Sequence, residues 1–456
     1  MIHNYLDITE RARTGAPLSK EDWDFRIIEK VQALVDKYEL TWDKQKITDN
    51  NPDLADRIFK AGKELILDTG VYALSRGRII ELSEEEIEEG IHKMNRPLVM
   101  GEGKDSCTLF PRDIQDTEPP TIWAGNPGVP TPEKIFKASV KSWAQEPLVD
   151  LITCGSLVDV DGVNVESGEV SELIASRREL SYLRQVREEV GRPGMGMLAA
   201  ESSVTEIGDL AATHPDLLRP CDSHLVAMFN ELMIDQGNMI RAANSQFYGM
   251  ANASLATVMV GGLAGDAPGA AVVQVASFLA ANIVCLADYH LCHPIHIRYV
   301  ATSAPGCMWL QSIVCQAFAR NAPAVIVCDV YPKSGALTKE LLYEVAANSL
   351  AITLSGGHLE GVGSADGSRP NGTGLEVRLM AEVAHAAVRQ EMTMEEGNKI
   401  ILSLLKKYEH VLEMEGGNPG QSIEEAYDLV TVKPVPQWTA LYEEVKAELR
   451  EAGINF

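Results

Sequence analysis

The sequence predicts an α/β fold, a (β/α)8 or TIM barrel with a helical extension at each end, and three observations carry that prediction. Eight short apolar runs, rich in Val, Ile and small residues, are spread over residues 121–357. Each is followed by a stretch able to form a helix, and strict alternation of β and α elements implies a parallel sheet. Eight such units in roughly 250 residues match the size of a barrel, although a doubly wound open sheet shares the alternation.

The elements follow in order. Up to about Asp116 the pattern is helical and charged: SKEDWDFRIIEKVQALVDKYEL, NPDLADRIFKAGKELILDTG and LSEEEIEEGIHKM place apolar residues at helical spacing. This predicts an N-terminal extension over 1–118. The barrel is expected over 119–395, with strands at TIWAG (121–125), LVDLITCG (148–155), GMGMLAA (194–200), HLVAMFN (224–230), ATVMVGG (256–262), IHIRYVA (295–301), AVIVCDVY (324–331) and LAITLSGG (350–357). A C-terminal extension over 396–456 is helical again, in NKIILSLLKKYEHVLEM and WTALYEEVKAELREAG.

Charge and cysteine usage narrow the function classes. A net charge of -25 leaves no basic face for a phosphate backbone, so no nucleic acid partner is expected. Eight scattered cysteines lack the dense spacing of a secreted disulfide scaffold, and MIHNYLDITERAR has no apolar signal region, so the cytoplasm is expected. The uncharged run GAAVVQVASFLAANIVCLA (269–287) has the length of a membrane span but no Lys or Arg anchor at either end. It reads as a helix buried on most sides, wrapped by a neighbouring subunit, with no membrane partner.

Several motifs bear on chemistry. The GxG patterns do not open a helix after a first strand and so do not make a dinucleotide fingerprint. HLCHPIH clusters His290, Cys292, His293 and His296, which suits zinc by ligand type. It is expected to precede a strand, at the end of a barrel away from catalysis, and no metal site is assigned. AVIVCDVYPKSG ends on Asp329 and Tyr331, two apart and therefore on one face, where a barrel strand meets its mouth. CDSHLVAMFNELMID sets His224 in a second strand-end cluster whose default role is local turn and cap bonding. The glycine-rich stretch 354–386 suits an anion site, a lid or a docking surface equally.

Taken together, these stretches resemble one family from end to end, the corrinoid-dependent monomethylamine methyltransferases of methylotrophic methanogens. The residues that carry the likeness are EDWD (21–24), IFKAG (58–62), GRPGMG through Glu201 and Ser203, DSH (222–224), GGLAGD (261–266), the P-HIR of 294–298, Tyr331 with Pro332, the TG-E-R-M-EVA of 373–384 and the AYD..TV.P of 426–434. The resemblance implies a TIM barrel assembled as a homo-oligomer, a hexamer in the family. It also implies a cobalamin (corrinoid) cofactor carried by a partner protein that docks over the barrel mouth and accepts a methyl group at Co(I).

The resemblance also marks the departures. Leu198 stands where the family has pyrrolysine, Leu225 and Leu255 where it has glutamates, and Asp329 where it has glutamine, while Tyr331 matches. Leucine can neither form an adduct with an amine nor hydrogen-bond one, so a different methylated amine is expected, a quaternary one needing no adduct. Leu198, Leu225 and Leu255 would then enclose N-methyl groups, with Glu201 and His224 beside them. Asp329 would supply the countercharge and Tyr331 a phenol or cation–π face. Two alternatives stand beside this one: a metal-dependent methyltransferase for an O- or S-methyl donor using the histidine cluster, and a non-catalytic barrel serving as a binding or assembly subunit.

Overall fold

The computed structural model describes residues 2–456 and shows a mixed α/β fold built on one parallel sheet. Its strands are β1 (Ile122–Ala124), β2 (Leu151–Ile152), β3 (Ser223–Met228), β4 (Ala251–Ala256), β5 (Tyr289–Cys292), β6 (Ile326–Val330) and β7 (His358–Gly361). They pair in the order β3-β4-β5-β6-β7-β1-β2, all parallel. Between the two edge strands lie Met197 and Leu198, which form parallel bridges to Ile152 and Ser223.

The alternation of buried residues sorts this sheet into two faces. Ile122, Ala124, Val226, Cys292, Cys328 and Leu359 belong to the larger core, packed under the helices. Trp123, Leu151, Leu198, Ala253, Leu291 and Val327 form a second, separate cluster on the other face. Leu225 and Leu255 pack against it.

Three predicted strands are displaced. The run 350–354 ends the helix α11 (Lys339–Leu354), which is buried on every side and so shows no helical period. The glycine pair 356–357 stops that helix, and the strand is the following His358–Gly361. At 256–262 the true strand is Ala251–Ala256, whose Ala, Asn and Ser content gives little β propensity. At 295–301 it is Tyr289–Cys292, which ends just before Pro294. Met259–Val260 and Ile295–His296 instead pair with each other beyond the ends of β4 and β5.

The N-terminal segment is not purely helical. Helices α1 (Ile2–Thr14), α2 (Lys20–Lys37), α3 (Pro52–Thr69) and α4 (Glu84–Met94) are joined by short strands, one of which, Val71–Ala73, pairs with Met233–Ile234 beyond β3. The apolar helix α9 (Ala267–Val284) is long and apolar enough to cross a membrane, yet it is buried within its own chain. The expected wrapping by another subunit is thus supplied by α2, α3, α4 and α10 (Pro305–Asn321). Gly62 makes the closest approach possible, since a Cβ there would come within 2.5 Å of Val275 Cγ1.

The glycines of GRPGMG serve a similar approach. A Cβ on Gly194 would lie 2.2 Å from the Glu102 carbonyl, and one on Gly196 would lie 2.7 Å from the Gly101 amide. Gly101 N–H donates to the Cys221 carbonyl at 2.8 Å and Glu102 N–H to Gly194 at 2.9 Å. A hairpin of Leu98–Met100 and Cys107–Leu109 is thereby pressed against the start of the Met197–Leu198 segment. Its Met100 and Leu109 join the second apolar cluster, so the hairpin closes that end of the sheet's inner face.

Candidate active site

The strand ends opposite that hairpin carry the polar groups. Asp329 on β6 and Glu360 on β7 are in register and buried, at 3% and 0% exposure. Neither Glu360 oxygen, nor Asp329 Oδ1, has a hydrogen-bond donor, and the buried Thr153 hydroxyl beyond β2 is also without one. Glu201, three residues past Leu198, adds a third carboxyl with Oε1 unpartnered. Its backbone is fixed by the Ser156 hydroxyl, which donates to the Glu201 carbonyl at 2.7 Å, and by the Glu201 N–H, which donates to the buried Glu179 at 2.9 Å.

Burial governs the charge of this group. It pushes Asp329 up to about 7. Glu360 is raised well above the carboxylate range by burial first and by Asp329 second, and Glu201 by burial and then by Glu179, Glu360 and Asp329. A proton on Glu360 resolves its orphan oxygens, because it then donates to the adjacent Asp329 carboxyl. Asp329 Oδ2 meets His293 Nδ1 on the other side. Burial holds His293 down to about 4, so it opposes charge on both members, and the direction that stands is a neutral pair sharing one proton.

His293 follows the end of β5, and its ring lies edge-on to Tyr331 with centroids 4.4 Å apart. The position predicted for the histidine cluster is thus corrected: β5 ends before His293, which places it at the same strand ends as Asp329. His290 faces the opposite way, bonded to the Ser254 hydroxyl at 2.8 Å and stacked on Phe278. Among the described residues no group of three His, Cys, Asp or Glu is arranged to hold a metal.

Tyr331 is locked in place. Its hydroxyl donates to the Pro127 carbonyl, and Gly363 and Gly367 lie so close that a Cβ on either would come within 2.4 and 2.7 Å of the ring. Burial, then Asp329 and Glu360, raise its phenol far above the ordinary range, so it stays neutral. A cavity of about 180 Å3 opens beside it, lined by Pro127, Gly128, His293, Val300, Tyr331 and Asp366. Lys333, also near, is committed to Asp366 at 2.6 Å.

The leucines lie on the same face of the sheet as Asp329 and Glu360. Leu198 is fully buried and Leu225 and Leu255 half-buried, all three on the inner face. Leu255 lies within β4 rather than ahead of a strand, and is in register with Ala227 and Leu291. His224 is not on this face. It alternates with Leu225, is fully buried, hydrogen-bonds the Ala199 carbonyl at 2.7 Å, and sets its Nε2 against the Asp209 carboxylate at 2.8 Å. It fixes the backbone beside Leu198 from behind.

Two groups that complete the site were not read from the sequence, Glu360 and His293. The signal for Glu360 was the polar–apolar–polar alternation of His358, Leu359 and Glu360 directly after a glycine helix stop. For His293 it was Pro294, which marks a strand end at least as readily as a loop.

A parallel α/β sheet thus carries buried acids and an apolar face at one set of strand ends, and the comparisons give the class as a methyltransferase. The family model described as monomethylamine methyltransferase MtmB matches residues 3–454. The chain belongs to that family. It is 30% identical to monomethylamine methyltransferase MtmB2 of Methanosarcina acetivorans, covering 99% of this chain and 98% of the relative. It is 29% identical to MtmB of Methanosarcina mazei, over the same shares. The crystal structure of the Methanosarcina barkeri monomethylamine methyltransferase superposes with a TM-score of 0.96 at 29% identity, covering 99% of this chain and 98% of that one. A crystal structure of the hydroxylamine MtmB complex matches equally.

Proposed function

We propose that this methyltransferase moves a methyl group from a methylated amine, quaternary rather than monomethylamine, to the Co(I) of a corrinoid held by a partner protein. The observation that carries the reading is the pairing of unpartnered, buried carboxyls (Glu201, Asp329, Glu360) with a wall of Leu198, Leu225 and Leu255. A quaternary ammonium needs countercharge on one side and apolar contact for its methyl groups on the other. It leaves as a neutral amine, so no adduct-forming residue is required. Supporting the barrel reading, the bridges of Met197 and Leu198 join the sheet's two edge strands and supply an eighth position. We read 1–118 and 396–456 as extensions of a barrel over 119–395.

In this mechanism the residues bind and orient. Asp329 ionises against the cation, releasing its proton to solvent, while neutral His293 holds one of its oxygens. The Tyr331 ring, fixed by Pro127 and the flanking glycines, forms a rigid wall whose face is available to a cation. The leucines exclude water and fix the N-methyl groups, so that one methyl faces the opening in line for displacement. The docked partner's cobalt supplies the nucleophile. Val204, Phe229, Ile297 and Val300, exposed in loops beyond the strand ends, offer an apolar rim for such docking. Eight free thiols suit a cytoplasmic setting, and a homo-oligomer follows from the family reading.

The test is purified protein with cob(I)alamin and a panel of tetramethylammonium, choline, betaines, carnitine and simple methylamines, read by the spectrum of the methylated corrinoid. Absence of methyl transfer from every member of the panel would sink the proposal.

A further inference from the structure

We infer that the methyl donor carries no carboxylate, so that the site takes simple ammonium compounds and rejects betaine-type ones. The inference rests on the reading above and narrows it. Three carboxyls, from Glu201, Asp329 and Glu360, meet at the strand ends, with Glu179 behind Glu201. At least one oxygen each of Glu201 and Glu360 has no donor, and the hydroxyl of the fully buried Thr153 is set against Glu360. These groups present acceptors to whatever enters.

A substrate carboxylate would need donors instead, and those nearby are engaged. Lys333 is paired with Asp366 at 2.6 Å and only 7% exposed. Arg241, which also acts on Glu201, donates to the Ser203 carbonyl. The Tyr331 hydroxyl is spent on Pro127, and the Glu360 proton on Asp329. The opposite wall is leucine. What remains carries no positive charge: the hydroxyls of Thr153 and protonated Glu201, and the far edge of His293 facing the 180 Å3 cavity, which can serve a hydroxyl arm as well as any other acceptor.

The cost to a zwitterion follows from Coulomb's law. Once the ammonium head has ionised Asp329, a carboxylate arm about 7 Å away at an effective dielectric of about 20 weakens binding roughly 50-fold. The ammonium itself gains as Asp329 loses its proton, and this carboxyl titrates near pH 7. Tetramethylammonium should therefore bind several-fold more tightly at pH 8 than at pH 6.

The experiment is calorimetric titration of the full chain with tetramethylammonium, choline, glycine betaine and carnitine at pH 6 and pH 8, alongside methyl transfer to cob(I)alamin from each. The expected result is tetramethylammonium and choline binding roughly 50-fold more tightly than the two carboxylates, with the preference collapsing in Asp329→Asn and persisting in Glu360→Gln, whose carboxyl is already neutral. Equal or tighter binding of glycine betaine or carnitine overturns the inference. Methyl transfer from a betaine alone keeps the methyl-transfer reading and removes the inference. Selective binding of the simple ammonium compounds without methyl transfer does the reverse. No binding by any of the four overturns both.

Discussion

Replacing Asp329 with asparagine should make the protein more stable at alkaline pH, even though it removes the group assigned to hold the substrate. Burial lifts this carboxyl from its ordinary 3.8 to about 7, so the folded state keeps a proton that the unfolded chain has already lost. Below pH 4 both states are protonated and nothing is at stake. Between about pH 4 and pH 7 the unfolded state binds fewer protons, so stability falls as pH rises. Above pH 7 the penalty is complete, roughly three pH units at about 1.4 kcal/mol each, or about 4 kcal/mol.

The Asp329→Asn side chain is close in shape and can still bond His293, so the variant should lack this loss. Its stability relative to wild type should rise by about 2 to 4 kcal/mol between pH 4.5 and pH 8, the lower figure allowing for relief by His293. Denaturant unfolding of both proteins across that range measures the difference directly, and adding saturating tetramethylammonium should narrow it by favouring the ionised wild type. If the difference moves by less than about 1 kcal/mol, Asp329 ionises normally and the site is not the dry acid cluster described.

Other substitutions test other parts of the argument. Tyr331→Phe removes one hydrogen bond to Pro127 but leaves the ring packed by Gly363 and Gly367. It should cost about 1 kcal/mol of stability and leave kcat within a few-fold; a thousand-fold loss would make the phenol a proton donor. His224→Ala strands the buried Asp209 carboxylate and should destabilise the fold by about 3 to 5 kcal/mol, with the KM of the surviving enzyme little changed because His224 lies outside the wall. Gly62→Ala forces α3 away from Val275 on α9 and should lower stability by about 1 to 3 kcal/mol, seen as a lower Tm with unaltered substrate affinity.

How far the sequence revealed this site depended on how each strand announced itself. AVIVCDVY is a β-branched run ending at a proline, and it located Asp329 on β6 and Tyr331 just past its end. Leu198, Leu225 and Leu255 were found through resemblance alone, since a leucine in an apolar run has no local mark of function. Glu360 was hidden because the last turns of α11 are buried on all sides and mimic a strand, which pushed the true strand into a presumed loop. A different error, two strands earlier, moved His293 to the wrong end of the sheet: the apolar run 295–301 drew the expected strand past Pro294, whereas β5 is Tyr289–Cys292. The failure at Glu360 is one of period: a helix buried on every face and a four-residue strand look alike when only apolarity is read.

The departures that the resemblance implies at 225 and 255 bear on how the acids are used. Glutamates at positions 225 and 255 would put acceptors on β3 and β4, facing those of β6 and β7 across the inner face. Leucine at both positions leaves the acceptors on one side only, on Asp329, Glu360 and the nearby Glu201. A ring of acceptors suits a cation with several N–H groups, each of which needs a partner once buried. A one-sided cluster facing hydrocarbon suits a cation with methyl groups in place of those N–H bonds, because unpaired N–H groups would otherwise be pressed against leucine. Restoring a single acceptor by Leu225→Gln should therefore shift binding toward less methylated amines and weaken tetramethylammonium, whereas a uniform loss for all amines would mean that the wall fills space without discriminating.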